Sequence, residues 1–458
     1  MKKFKTLIAA AIAAIAALAA SQVPAAPTAA EAARLGKDLT PVGAEKAGNK
    51  EGTIPAWTGG LCTPPPGYKP TNGKNGFPYV DPFAAEKPIA TVTAANLAQW
   101  ADKLDPAALE LFKRFPATYR MNVYPSHRTA CLPDWVYENT VKRVMTPKLV
   151  GDAPGLEGAH AQVPFPIPKT GQELMYNAIT AFHPVYHGGD WQSWLVDAGG
   201  NRTLIAKAST RYHWEYWDNT KTQSDKIQGL LNMNTSPASK AGSMDMRINW
   251  ARMDEKPPRA WSYTPGQRRV RLAPEFTYDT VAAQYGGMIV FDEISGFDGK
   301  MDRFDFKIVG KKEMLVAYNN LGHHNAALTN IETAMLKDHV NPDVMRWELH
   351  RVWIVEATRK AGARHIYSKK VWQIDEDSWL YSAYQSYDDA GKLYRSNHFP
   401  IYQAYDVPMP MGQSQIGHDF VKNGWFLGSA AVGEGWRKVD PLPDNYLTPD
   451  SMAAKGVR

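Results

Sequence analysis

From about residue 190 onward, apolar and polar positions alternate with a period of two. Met244, Met246, Ile248 and Trp250 alternate with Asp245, Arg247 and Asn249, and Phe304, Phe306 and Ile308 alternate with Arg303, Asp305 and Lys307. Tyr212, Trp214 and Tyr216 alternate in the same way with Arg211, His213 and Glu215. Side chains on a strand point to opposite faces in turn, so each run predicts a strand with one apolar and one charged face. Further strands are predicted over 203–208, 259–264, 268–272, 287–294, 349–358, 364–374 and 378–387. Many gaps between them carry turn chemistry: Asp197 to Gly200, Pro265 with Gly266, Asp298 with Gly299, Lys360 to Gly362, and Asp389 to Gly391. Strands joined by tight turns are antiparallel neighbours. The pattern therefore predicts an α+β fold, mainly antiparallel β, built on one large curved sheet or incomplete β-barrel with covering helices.

Helical spacing is confined to a few places. Leu97, Trp100, Ala101 and Leu104 share a face, and Asp105 with Pro106 restarts the pattern toward Leu111, Phe112 and Phe115, which predicts a helix or helix pair over 93–115. Shorter helical patterns lie near 279–285 and 329–338. Residues 26–92 are dense in turn signals, among them Gly59 and Gly60, Pro64 to Gly67, and Asn72 with Gly73, and read as an extended arm ahead of the body at 93–458. Residues 1–25 have a different character. Lys2, Lys3 and Lys5 precede an uncharged apolar run from Leu7 to Ala20, and the small residues Val23 and Ala25 follow, as in a secretory signal peptide cleaved after Ala25. The run is too short to span a bilayer, so the mature chain is expected to have no transmembrane segment and to be exported.

Export changes the reading of Cys62 and Cys131, the only cysteines: outside the cytosol they are expected to form a disulfide, the alternative being two buried thiols. Without the leader lysines, 49 basic residues face 46 acidic ones. That balance argues against nucleic acid and against a strongly anionic partner. Catalytic signatures are missing. There is no G-x-S-x-G elbow, phosphate loop, H-E-x-x-H or C-x-x-C, and Asp292, Glu293, Asp298 and Asp302 lack calcium-loop spacing. His323 and His324, with His339 and His350 downstream, are the best metal candidates, but no carboxylate spacing accompanies them. They read as loop residues, and neither a metal nor a cofactor is expected.

Aromatic residues are the positive signal. Trp191 and Trp194, Trp214 and Trp217, Trp347 and Trp353, and Trp372 and Trp379 lie in or beside strand patterns, several with rings on both faces. A sheet whose concave side forms an apolar cavity accounts for this, as does a plain core with cross-strand ring pairs. The cavity reading nominates Tyr212, Trp214, Tyr216 and Trp250 as ligand contacts. It also nominates Arg269 and Arg271, on one face of the strand after Pro265 and Gly266, as rim cations for a phosphate or carboxylate, with surface salt bridges as the alternative.

The run Leu35-Gly36-Lys37-Asp38-Leu39-Thr40-Pro41-Val42-Gly43-Ala44-Glu45, continuing through Gly52-Thr53-Ile54-Pro55-Ala56-Trp57, resembles the opening of the proteobacterial family of domain of unknown function 1329. Tyr263-Thr264-Pro265-Gly266-Gln267-Arg268-Arg269-Val270-Arg271 is similar to a string of outer-membrane lipoprotein-sorting proteins, and the resemblance runs on through His350-Arg351-Val352-Trp353 to Ser378-Trp379. It implies a fold like the carriers LolA and LolB, an incomplete antiparallel barrel lidded by helices around a cavity for acyl chains. It also implies company: an outer-membrane protein and a resistance-nodulation-division type exporter. The chain is about twice the length of LolA, and no cargo-contacting residue of LolA can be matched.

The first functional expectation is thus a periplasmic carrier or binding protein for a lipid or other long-chain apolar ligand, serving transport to or from the outer membrane and not an enzyme. A second is carbohydrate binding or glycan hydrolysis on exposed tryptophan platforms. A third is a periplasmic scaffold without ligand.

Overall fold

The structure is a computed structural model that describes residues 26–274 and 277–456; the expected signal segment lies outside the described residues. In chain order the strands are β1 (Ala90–Val92), β2 (Met121–Tyr124), β3 (Lys148–Val150), β4 (Gly155–Glu157), β5 (Tyr186–Val196), β6 (Arg202–His213), β7 (Lys226–Ser236), β8 (Met244–Trp250), β9 (Arg259–Thr264) and β10 (Arg269–Leu272). There follow β11 (Phe304–Ala317), β12 (Trp347–Arg359), β13 (Lys369–Asp375), β14 (Tyr381–Tyr387), β15 (Leu393–His398), β16 (Tyr402–Ala404), β17 (Met409–Met411), β18 (Gln415–Asp419) and β19 (Gly424–Lys438). Fifteen of them form one sheet in the order β1-β2-β12-β13-β14-β15-β18-β19-β5-β6-β7-β8-β9-β10, with β11 also paired to β12. All its pairings are antiparallel except the short one between β12 and β2. Among the described residues the end strands β1 and β10 do not pair with each other, so the sheet is unclosed.

Curvature shows in the core. Trp191 on β5 and Ala206 and Ala208 on β6 share one buried cluster with Val355 on β12 and Trp372 and Ile374 on β13, although these strands lie in opposite limbs of the sheet. The helix Gly171–Ile179 fills the space between the limbs with Leu174, Met175 and Tyr176, all fully buried. Its start is fixed by a capping box in which Thr170 accepts from the Glu173 amide and the Glu173 carboxylate accepts from the Thr170 amide. On the opposite face, Leu111 and Phe112 of the helix Pro106–Arg114 pack with Ile416, Leu427 and Trp425.

Several local expectations are corrected. The segment 93–115 holds two single 3-10 turns, Leu97–Gln99 and Ala101–Lys103, before an α-helix begins at Pro106, because Asp105 caps it by accepting from the amides of Ala107 and Ala108. The expected strand at 287–294 is a 3-10 segment, Phe291–Gly296, and Asp298 with Gly299 leads out of it instead of turning a hairpin. His323 and His324 are buried in the helix Leu321–Thr329, not in a loop. The alternation through Tyr216 is also misleading: β6 ends at His213, and Tyr216 lies in the single turn Glu215–Trp217.

The arm has few regular elements and is fastened by side chains. Asp406 accepts from the hydroxyls of Tyr68 and Tyr79 and from the Gly76 amide, and Phe77 and Tyr79 are buried in the main cluster. Cys62 and Cys131 are bridged, tying the arm to the segment before the helix Asp134–Arg143.

Candidate functional site

Between the limbs of the sheet lies a cavity in two connected lobes, both lined by Tyr212, Leu230, Ile294, Ser295 and Gln413. The lobe toward the helix Gly171–Ile179 and that toward β19 each have a cavity volume of about 80 Å³ and are partly open to solvent. Ile179, Trp214, Phe297, Tyr381 and Phe399 wall the first, and Trp191, Tyr285, Phe291 and Trp436 wall the second.

The floor comes from β6, β7 and β8, and register decides which residues face it. Directly opposed residues share a face, and the rows Tyr212, Leu230, Arg247 and Thr210, Asn232, Asp245 cross these three strands. The polar side of β8 therefore faces the cavity. Met244 and Met246, on the other side, pack with Tyr263 and with Met452 of the helix Pro449–Gly456. A core-facing apolar side is the ordinary expectation for such a strand; here the C-terminal helix covers that side and frees the polar one to line a site.

The segment 291–299 closes the cavity from above. At its start, the Asp292 carboxylate takes the buried Lys370 ammonium and His365 Nε2. At its end, Asp298 takes Arg247 and the Asn249 amide nitrogen. In between, Gly296 has φ +95° and lies so close to Tyr381 that a Cβ would come within 2.2 Å of the ring, and its carbonyl accepts from Trp372 Nε1. Only glycine fits there.

Parity explains where the nominated residues go. Tyr212 and Trp214 line the cavity. Trp214 stacks on His183, ring centroids 4.2 Å apart and planes nearly parallel, and Tyr212 faces His187. Burial pushes the His183 imidazole down to about 4, so it is neutral at ordinary pH. Its Nδ1 donates to the Ala181 carbonyl at 2.9 Å. Tyr216 is fully buried in the core, its hydroxyl donating to the Gln162 carbonyl. Trp250 has the parity of Met244 and Met246, so it lies on the outer side, with Lys226 and Lys256 5.8 Å and 5.2 Å from its ring. Arg269 and Arg271 share the inner parity, because Arg271 opposes Ser262 and Ser262 opposes Asp245, but β10 is the sheet edge and both are exposed beyond the cavity wall. Their distance from the floor, not their facing, separates them from the site. Sequence reasoning missed His183, Gln228, Asn249 and the lid.

Burial raises the Asp245 carboxyl to about 6 against the pull of Arg247 and Lys240. A carboxyl raised on folding adds stability while protonated and loses it as pH climbs through the folded value. From the reference 3.8 to about 6 the loss is at most about 3 kcal/mol, complete near pH 7. Asp245→Asn is accordingly expected to leave stability unchanged at pH 4 and raise it above pH 7, read from urea midpoints across pH; equal midpoints at pH 7.5 would refute the assignment.

The histidines nominated for metal do not converge. His323 and His324 lie in one helix, His339 Nε2 contacts Thr118, and His350 stacks on Tyr318. Among the described residues, His350 with Asp375 and Asp377 has ligand atoms within 4.8 Å of one another. Arg128 already occupies both Asp377 oxygens there.

Among the described residues, no helix is long and apolar enough to cross a membrane. A family profile described as Protein of unknown function (DUF1329) matches residues 91–453. The uncharacterized protein PA3922 of Pseudomonas aeruginosa is 36% identical over 436 residues, covering 93% of each chain. A DUF1329 family protein from Desulfovibrio piger is similar in structure with a TM-score of 0.43 at 15% identity, over 62% of this chain and 97% of that one. A putative outer membrane lipoprotein-sorting protein domain from Vibrio parahaemolyticus gives 0.42 at 12% identity, over 62% and 96%. The LolA superfamily protein NE2245 from Nitrosomonas europaea gives 0.36 at 11% identity, over 62% and 100%. The resemblance drawn from the opening string and the arginine hairpin is thereby borne out, and the family profile together with the identity to PA3922 shows that the chain belongs to the DUF1329 family.

Proposed function

We propose that this protein is a binding protein or carrier that takes a long-chain apolar or amphipathic molecule into the lidded cavity without altering it chemically. The observation that carries this reading is the pair of adjoining lobes, both lined by residues of 291–299 and walled mainly by aromatic and aliphatic side chains. Such a site needs no reactive group: each buried methylene contributes about 0.8 kcal/mol, so a ten-carbon chain supplies roughly 8 kcal/mol before association costs. Release needs a segment that moves, and 291–299 is held at two ends by ion pairs instead of by continuous strand pairing. The glycan reading asks for exposed tryptophan platforms; among the described residues no tryptophan figures in the set of exposed large apolar side chains. The Cys62–Cys131 bridge fits an oxidising compartment, and carriage across the periplasm, between an outer-membrane protein and an exporter of the resistance-nodulation-division type, is the setting we propose.

Titration of delipidated protein with the neutral fluorophore N-phenylnaphthylamine is expected to give saturable enhancement at about one site. Leu230→Trp, which fills the shared part of the cavity, should weaken it roughly tenfold while circular dichroism stays unchanged. Unsaturable binding in the parent protein, with quenching of tryptophan emission by oligosaccharides, would replace the carrier reading with the glycan one.

A further inference from the structure

The cavity is not lined by hydrocarbon alone, and four of its side-chain polar atoms have no partner among the described residues. Trp214 Nε1, Asn249 Oδ1, Gln228 Oε1 and the Tyr381 hydroxyl, which either donates or accepts, are fully shielded from solvent and bond to nothing among the described residues. All four residues line the lobe toward the helix Gly171–Ile179, and Trp214 and Asn249 are themselves only 5% and 4% exposed. Three of them are neighbours in the sheet. Gln228 and Asn249 are directly opposed on β7 and β8, and Trp214 follows His213, which opposes Gly229 on the same ladder. A buried polar atom without a partner costs about 1–3 kcal/mol, so four along one lobe are a stored demand for a ligand group.

The chemistry of that group follows from the atoms. Indole Nε1 only donates. The orientation of Asn249 is fixed because its amide nitrogen donates to Asp298 Oδ1 at 3.0 Å, which leaves its oxygen as the unpartnered acceptor. Gln228 satisfies either sense by an amide flip. The ligand group must therefore accept from Trp214 and donate to Asn249 at once. A hydroxyl or a primary or secondary amide does both. An ionised carboxylate or phosphate diester has no proton to give and would sit beside the Asp298 carboxylate, whose charge is already met by Arg247. An ammonium has no lone pair for Trp214. His183, neutral and stacked on Trp214, adds no charge.

Resting on the carrier reading above, we propose that the cavity selects neutral amphipaths, molecules whose apolar body lies between the aromatic walls and whose uncharged polar end, a hydroxyl or an amide, is bonded by Trp214, Asn249 and Gln228. Carboxylates, phosphodiesters and amines of the same chain length are the rejected classes.

The test is displacement of N-phenylnaphthylamine from the full mature protein by dodecanol, dodecanamide, dodecanoate and dodecylamine at pH 7.5. Dodecanol and dodecanamide are expected to displace it at roughly tenfold lower concentration than the two charged amphipaths. Trp214→Phe, which keeps the ring on His183 but removes the donor, and Asn249→Leu should each erase that preference, read within each variant as the ratio of the dodecanoate to the dodecanol concentration that displaces half of the fluorophore. If Asn249→Leu does not fold, Trp214→Phe alone decides. Dodecanoate binding as well as dodecanol, or a preference that survives Trp214→Phe, overturns the head-group assignment and leaves the carrier reading standing. A protein that takes up neither the fluorophore nor any of the four amphipaths overturns both.

Discussion

Arg128→Met is expected to destabilise the protein by about 3–5 kcal/mol, because it strands a buried carboxylate. The Arg128 side chain is 3% exposed. Its Nε and Nη2 donate to the two oxygens of Asp377 at 2.8 Å and 2.6 Å, and Nη2 lies 3.5 Å from Glu376. The same guanidinium donates to the carbonyl of Glu45 at 2.8 Å and, at 3.4 Å, to those of Lys46 and Pro55. One planar group thus neutralises an acidic turn at the end of β13 and fastens the N-terminal arm over it. Arg351 repeats the device, with Nε on Glu376 at 2.7 Å and Nη2 on the carbonyl of Ala47. A lysine presents a point charge and cannot reach both acceptor sets, so Arg128→Lys should recover little. Pairing Arg128→Met with Asp377→Leu removes the stranded charge and should restore most of the loss. Urea unfolding followed by tryptophan emission measures all three variants; an Arg128→Met protein within about 1 kcal/mol of the parent would show the cluster to be solvated and the clasp incidental.

The sequence was legible where strands have one face against water or a covering layer. Met244–Trp250 and Arg259–Thr264 were bounded to the residue, since alternation there survives folding. It was illegible at the centre of the sheet. β19 runs for fifteen residues between β18 and β5 and is buried on both faces through most of its length, so Ala430, Ala431 and the glycines Gly424, Gly428, Gly433 and Gly435 show no alternation. Glycine is required there by contact: a Cβ at Gly435 would come within 2.1 Å of the Phe77 ring, and one at Gly428 within 2.8 Å of Phe426. The lid was misread for a related reason. Met288, Ile289, Val290 and Phe291 form an apolar run of strand length, and nothing local reveals that Ser295 and Gly296 turn left-handed behind it. At the site, Tyr212 and Trp214 could be nominated by ring type, whereas Gln228 and Asn249 could not. Their significance is a cross-strand register and a missing partner, and a one-residue shift would have sent both to the other face.

Removing the disulfide is the second large perturbation. The bridge spans 69 residues, and closing a loop of that size constrains the unfolded chain by about 4 kcal/mol in the chain-entropy treatment. Cys62→Ala with Cys131→Ala is therefore expected to lower the unfolding free energy by about that amount, without disturbing the body. The Cys131 backbone is held independently, its amide donating to Gln403 Oε1 at 3.1 Å and its carbonyl accepting from Gln403 Nε2 at 3.0 Å. The arm, too, keeps its other fastenings, at Arg128 on one side of Cys62 and at Asp406 on the other. Those native contacts separate an effect on the unfolded chain from one on the folded arm. If the bridge acts on the unfolded chain, the variant unfolds at lower urea with its native-state proteolysis pattern unchanged. If it acts on the arm, brief protease treatment in the absence of denaturant cuts between the two fastenings, near the turns at Gly59, Gly60 and Gly67, while the urea midpoint hardly moves. The first pattern is the expected one, because Leu61 donates its amide to the Thr129 carbonyl at 2.9 Å and so keeps the arm seated beside Cys131 when the sulfurs are gone.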